Sequence, residues 1–330
     1  MAKILVLRFS SIGDIVLTTP VVRMLANNGH EVFYFTKKQY AGILEHNPYI
    51  KKVFLLSDNF KESADAIKQE NIDYIIDLHR NLRTLKVKLA LRKPSSSFRK
   101  LNFKKWLLTA LKINMLPKMH IVDRYLKAAE KFISQYDDSG LDYFADAALA
   151  DRLSEQHELK PEKYVVLAVG GQHATKRLPI GKLMEICDKL MFPVVLLGGK
   201  EDEDTGVQLS QLSLNNVLDL CGKISVNESA AIISQCAAII THDTGMMHIA
   251  AAYRRNIVSV WGNTVPAFGM TPYMSAQYNH RSVIIETMNL RCRPCSKIGY
   301  EQCPKGHFNC MNYIDTDEVV AAVQELVVGF

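Results

Sequence analysis

Three stretches of this sequence place groups able to move a proton or hold a phosphate just beyond short apolar runs. The first reads Arg8-Phe-Ser-Ser-Ile-Gly-Asp14 and follows the run 4–7. It lacks the spaced glycines of a dinucleotide fingerprint, so it offers no backbone for close approach to a pyrophosphate. What it offers is two hydroxyls, Ser10 and Ser11, a flexible Gly13 and the Asp14 carboxylate. Two roles stand open for Asp14: a cap on the helix that follows, and a base for a substrate hydroxyl.

The second stretch, Thr241-His-Asp-Thr-Gly-Met-Met-His-Ile-Ala-Ala-Ala252, reads as a strand end, a glycine turn and a helix whose first turn holds Thr244, Gly245 and His248. A helix start binds phosphate because its unpaired N–H groups and the macrodipole both favour negative charge. Asp243 suits an N-cap and equally an acceptor for a sugar hydroxyl. The third stretch, Val169-Gly-Gly-Gln-His-Ala-Thr-Lys-Arg-Leu-Pro179, combines Gly171 and its neighbour with the side-chain donors Gln172 and Thr175 and two cations. That set suits a diphosphate, with Lys176 neutralising a leaving group much as a divalent metal would. A solvated basic turn ahead of a proline-initiated helix explains the same residues. Further on, 197–203 adds Asp202 and neighbouring carboxylates where a ribose could sit.

The elements that must position these loops alternate along the chain. β-rich runs at 4–7, 31–35, 52–56 and 74–78 are separated by helical patterns to about 27, to 46 and over 63–70. A helix is expected near 122–136, and a polar interval without a strand covers 137–163. The rhythm resumes with strands at 164–168, 194–197, 217–220, 238–241 and 257–261, and helices at 182–190 and 226–236. This is the pattern of parallel α/β sheets. In open sheets of that kind ligands bind beyond the carboxyl ends of the strands, which puts the loops after Leu7, Ala168, Leu197 and Thr241 at the site.

A chain of 330 residues, 48% hydrophobic and 22% charged, has globular composition, and at about 150 residues per domain its length suggests two domains. The boundary is placed in the polar interval, giving 1–155 and 156–330. No run approaches the roughly 18 apolar residues that a spanning helix needs, and the N-terminus reads as a strand, so a cytoplasmic protein is expected. In that compartment the seven cysteines point to free thiols or metal. Cys292, Cys295, Cys303 and Cys310, with His307 nearby, could hold zinc tetrahedrally, or could remain thiols that order the loop. The net charge of +6 is mild, but 78–119 holds twelve Lys or Arg and no Asp or Glu. Such a block calls for an anionic partner.

R-x-S-S-I-G-D-I-V-L-T-T-P at 8–20, T-K-R-L-P at 175–179 and D-T-G-M-M-H-I-A-A-A at 243–252 together resemble glycosyltransferase family 9, the lipopolysaccharide heptosyltransferases. D-L-H-R-N-L-R at 77–83 and the cysteine segment extend the resemblance over nearly the whole chain. It implies a GT-B fold of two Rossmann-like α/β domains facing a central cleft, the first binding an acceptor and the second a nucleotide-sugar. Position by position it makes Asp14 the general base and Lys176 the lysine at the diphosphate or heptose. Asp243 becomes the carboxylate at the heptose hydroxyls, and Thr244 and Gly245, with His248 in the same turn, the phosphate turn. Gly171 and Gln172 stand where some members have paired threonines. Asp202 and Ile224 fall at the ribose and adenine, and Ser10, Ser11, Gly13, His79, Asn81 and Arg83 on the acceptor side.

The implied reaction is an inverting, metal-independent transfer from ADP-heptose to an anionic lipopolysaccharide precursor, lipid A-Kdo or a heptosyl acceptor, without a cofactor. The implied location is the inner face of the inner membrane, held peripherally, where the basic block meets acidic lipid and sugar. One alternative keeps the fold and the reaction but takes another nucleotide-sugar or surface glycan. A second is a basic nucleic-acid-binding protein with a cysteine-zinc site, although no aromatic-interleaved recognition motif accompanies the charge, so nucleic acid is not the expected partner.

Overall fold

The computed structural model describes residues 1–329. The chain forms two compact units: Met1–Lys100 with Met119–Phe144, and Leu101–Lys118 with everything from Ala145 onward. In chain order the first part runs β1 (Lys3–Leu7), α1 (Ile12–Val16), α2 (Thr19–Asn27), β2 (Glu31–Lys37), β3 (Lys52–Leu56), α3 (Phe60–Gln69), β4 (Tyr74–Asp77), α4 (Leu82–Leu91) and β5 (Ser95–Ser97). There follow α5 (Asn102–Trp106), which belongs to the second unit, and α6 (Ile121–Ala129), which returns to the first.

The five strands pair in the order β3-β2-β1-β4-β5, all parallel. β1 is apolar on both faces because both are covered. Leu5 and Leu7 pack with Phe33, Phe35 and Phe54 on one side, while Ile4, Val6 and Val32 are buried on the other. Pro20 sits in the first turn of α2, where its missing N–H costs nothing. The guanidinium of Arg23, 5% exposed, pairs with Asp137 and Asp142 and donates to the Gly140 carbonyl. That buried fork ties the Asp137-Asp-Ser-Gly140 turn to α2.

The second unit continues with α7 (Ala147–Gln156), β6 (Val165–Ala168), α8 (Ile180–Lys189), β7 (Val194–Leu197), α9 (Glu203–Leu212), β8 (Val217–Asp219), α10 (Val226–Gln235), β9 (Ala238–His242), α11 (Gly245–Ala252), β10 (Asn256–Trp261), β11 (Ser282–Glu286), α12 (Asn309–Asn312) and α13 (Thr316–Val328). Its six strands pair in parallel in the order β11-β10-β9-β6-β7-β8. Read from β8, this is the doubly wound nucleotide-binding order, with the direction of winding reversing between β6 and β9. In the first unit the reversal falls between β1 and β4. The loops after β1 and β4, and after β6 and β9, therefore flank the two switch points.

Several elements differ from the sequence reading. Residues 38–43 form a 3₁₀ turn rather than a helix to 46, with Gly42 inside it and Pro48 soon after. The basic stretch is structured, since Asn81 caps α4 and β5 closes the sheet edge. The polar interval contains α7, capped by Asp146 and packed on α10. The units divide after Phe144, and Leu101–Lys118 belongs to the second. Among the described residues, no helix is long and apolar enough to cross a membrane.

Candidate functional site

The first group of site residues surrounds Arg8, where β1 ends. Its guanidinium is buried, donating from Nε to the Ser10 carbonyl at 2.7 Å and from Nη1 to the Leu78 carbonyl at 2.5 Å and the Tyr125 hydroxyl at 3.0 Å. Its remaining nitrogen lies 2.6 Å from Oδ2 of Asp14. Burial pulls the Arg8 pKa down, but Asp14 and Tyr125 outweigh it and the net displacement is upward. Asp14 is the third residue of α1, not its cap; its Oδ2 accepts from the N–H and hydroxyl of Ser11, both at 3.2 Å. The carboxylate is thus held from two sides while its side chain keeps 21% exposure. As the third residue of a capping box, Asp14 supports the start of α1 while staying partly exposed.

The loop after β4 enters the same neighbourhood. Fully buried Asp77 accepts from the backbone N–H groups of His79 at 3.0 Å and Arg80 at 2.6 Å, and pairs with Lys88 at 3.1 Å. This fixes the turn that presents His79, whose pKa is pushed down to about 4 by burial and by the charges of Arg8 and Lys100. The imidazole is neutral near pH 7, and its buried Nδ1 has no hydrogen-bond partner. Asn81 is spent as a cap, its Oδ1 accepting from the N–H of Thr84 at 2.9 Å. Arg83 lies 5.6 Å from the centre of the Phe9 ring, and Arg80, Arg83 and Lys100 are exposed. Ser10, half-buried, and buried Gly13 line the Asp14 loop.

In the second unit the loops after β6 and β9 meet around Lys176 and Asp243. The ammonium is 2.6 Å from Oδ2 of Asp243 and also donates to the Asp243 carbonyl at 3.0 Å, and the Thr264 hydroxyl donates to that same Oδ2 at 2.9 Å. The N-cap of α11 is Thr244. Asp243 is therefore not the cap; it stands one residue ahead and turns toward Lys176. Gly171 lies beside the start of α11, where a Cβ would meet Cγ2 of Thr244 at an ordinary contact distance of 3.4 Å. His248 is buried in the first turns of the same helix.

His242, which the sequence reading passed over, locks these loops together. Its Nε2 accepts from the N–H of Leu178 at 3.0 Å, which leaves the proton on Nδ1 to donate to the Gly170 carbonyl at 3.3 Å. Burial, then the charges of Arg177 and Lys176, push its pKa down to about 4 against the opposing pull of the Gly170 hydrogen bond. Arg177 donates to the Gly171 carbonyl at 2.6 Å and pairs with Asp202 at 2.8 Å.

Asp202 is 2% exposed, with one oxygen on Arg177 and the other accepting from the Gly199 N–H at 2.8 Å, so it braces the loop. Thr175 is equally buried; its hydroxyl accepts from the Tyr300 N–H at 2.8 Å and donates to the Tyr300 carbonyl at 3.0 Å. Cys292, Cys295, Cys303 and Cys310 are all free, and among the described residues no group of three or more His, Cys, Asp or Glu is arranged to hold a metal. Burial pushes the Cys310 thiol up to about 11. Two D-x-D triplets occur, at 202–204 and 315–317; Asp202 is engaged as above and Asp315 caps α13. Gln172 is exposed, and Ile224 is half-buried in the turn between β8 and α10.

The model of glycosyltransferase family 9 (heptosyltransferase) matches residues 61–304. Lipopolysaccharide heptosyltransferase 1 of Campylobacter coli is 24% identical over 353 residues, covering 98% of each chain. The crystal structure of a glycosyl transferase family 9 protein from Veillonella parvula superposes with a TM-score of 0.82 at 20% identity, over 100% of this chain and 98% of that one. The E. coli ADP-heptose lipopolysaccharide heptosyltransferase II structure gives 0.76 at 19% identity, over 99% and 98%. The structural likeness shows a shared fold, the GT-B fold built of two Rossmann-like units.

Proposed function

The chain belongs to glycosyltransferase family 9, and on that premise we propose that this glycosyltransferase moves heptose from ADP-heptose to the inner core of a lipopolysaccharide precursor by one inverting displacement. The observation that carries the reading is the Lys176–Asp243–Thr264 cluster beside the start of α11. A cation, a carboxylate and a helix N-terminus at a sheet switch point are what a sugar diphosphate needs.

In this reading the second unit holds the donor. The N–H groups at Thr244 and Gly245 and the Gly171 turn take the diphosphate, Asp243 accepts from heptose hydroxyls, and Lys176 receives the charge that develops on departing ADP. Gln172 and His248 border the phosphates and Ile224 packs toward the adenine. Asp202 acts through Arg177 and Thr175 through Tyr300, both as positioning residues. The first unit holds the acceptor, with Ser10, Ser11, Gly13, His79, Asn81 and Arg83 around it. Asp14 takes the proton from the acceptor hydroxyl as that oxygen attacks the anomeric carbon, and Arg8 keeps the carboxylate aimed. A positioned base contributes about 10²- to 10⁴-fold. Neutral His79 leaves a donor or acceptor for a sugar hydroxyl, and exposed Arg80 and Lys100 suit the acceptor's phosphates and carboxylates. The acceptor's lipid places the enzyme on the cytoplasmic face of the inner membrane.

The test is a panel of nucleotide-sugars scored for protection against thermal unfolding and then for turnover with a Kdo-lipid A acceptor. A ligand at about 100 times its dissociation constant adds about 2.7 kcal/mol. Selective protection by ADP-heptose together with product formation supports the reading. Protection by a different nucleotide-sugar alone replaces the donor.

A further inference from the structure

The segment Leu101–Lys118 carries chemistry that sugar transfer does not use. Phe103 is 70% exposed and Trp106 50%, their rings stacked with centroids 6.0 Å apart, and Leu111, Ile113 and Met115 are also exposed. The segment is nonetheless firmly mounted. Leu108 is buried, the Lys105 ammonium lies 5.0 Å from the centre of the Phe268 ring, and Lys112 donates to the carbonyls of Thr109, Cys292 and Pro294 at 2.8, 3.0 and 2.6 Å. Its outward apolar face is thus held in place by the body of the second unit.

The charges around that face say what covers it. Lys104, Lys105, Lys112 and Lys118 lie in the segment, and it contains no Asp or Glu. A symmetric contact with a second copy would set these four cations against the same four, which disfavours self-association. An anionic bilayer answers both features, since aromatic rings settle at the boundary of headgroups and acyl chains while lysines meet lipid phosphate.

We infer that Leu101–Lys118 docks the enzyme on an anionic lipid bilayer, with Phe103 and Trp106 entering the interface and Lys104 and Lys118 meeting lipid phosphates. The inference rests on the acceptor reading above for the identity of the membrane, while the docking itself stands on the segment's exposure and charge. It divides the basic block: its first part, through Lys100, belongs to the unit of Asp14, and its last part belongs to the other unit as a membrane contact.

The experiment mixes the full chain with vesicles of phosphatidylethanolamine and phosphatidylglycerol, or of phosphatidylcholine alone, and reads flotation and tryptophan emission. Of the two tryptophans, Trp261 is buried, so a blue shift on binding reports Trp106. Binding to the anionic vesicles, weakened by salt, is expected. Phe103→Ser with Trp106→Ser should weaken it roughly tenfold or more, and Lys104→Glu with Lys118→Glu by about tenfold. Protection of both variants by ADP-heptose should stay at the wild-type level, which separates lost docking from lost folding. A chain that binds ADP-heptose but ignores anionic vesicles overturns docking and leaves the transfer reading standing. Vesicle binding through this segment without any nucleotide-sugar protection supports docking and refutes the donor assignment. Concentration-dependent self-association that the aromatic variant abolishes, with no vesicle binding, overturns docking in favour of a second copy.

Discussion

The Lys176 ammonium touches Asp243 twice, at the side-chain carboxylate 2.6 Å away and at the backbone carbonyl 3.0 Å away. One cation therefore fixes both the loop after β6 and the turn that opens α11. Replacing it by Met should reduce turnover by about 10² to 10³, the loss typical of one donor aimed at developing transition-state charge. Lys176→Arg, which keeps the charge but changes its geometry, should recover part of this. The check is steady-state turnover with ADP-heptose, and a Lys176→Met enzyme within a few-fold of wild type removes Lys176 from the mechanism.

His242 predicts a pH dependence of stability. Its folded pKa is depressed to about 4, below the ordinary value of about 6.5. Between those values the unfolded chain binds more protons than the folded one, so stability is fully present above about pH 6.5 and is lost as pH falls toward 4. The loss from this one buried imidazole is on the order of 3 kcal/mol. Melting curves should show a shallower decline across that window for His242→Gln, from a lower starting stability. Parallel declines in variant and wild type would assign the acid sensitivity to other groups.

Thr175→Val tests whether that residue positions or binds. Valine keeps the shape but leaves the Tyr300 N–H without its acceptor, which costs about 1–3 kcal/mol. Affinity for ADP-heptose should hold. A variant of normal melting temperature whose donor dissociation constant rises tenfold would put the hydroxyl on the ligand.

The candidate loops were legible because strands buried on both faces read as apolar runs, and in a parallel α/β sheet ligands bind beyond their carboxyl ends. Arg8-to-Asp14 and Thr241-to-Gly245 follow β1 and β9, each of which flanks one switch point. What stayed hidden is tertiary pairing, which leaves no period in a sequence. Arg8 meets Tyr125 across 117 residues, and Thr175 meets Tyr300 across 125. Asp202 looked available because carboxylates surround it, yet Gly170 and Gly198 pack so closely against it that a Cβ at either would collide with its side chain. In the basic block the charges masked α4 and β5, whose caps and edge pairing replace a continuous apolar stripe.

The most direct measurement is turnover of Asp14→Asn at saturating ADP-heptose and acceptor, compared with wild type and normalised to folded protein. Asn fits the same place in α1 and can still accept from Ser11, but it cannot take a proton. Turnover should fall by about 10² or more while protection by ADP and the melting temperature change little. Near-normal turnover in Asp14→Asn would contradict the assignment of Asp14 as the base, and with it the proposed displacement.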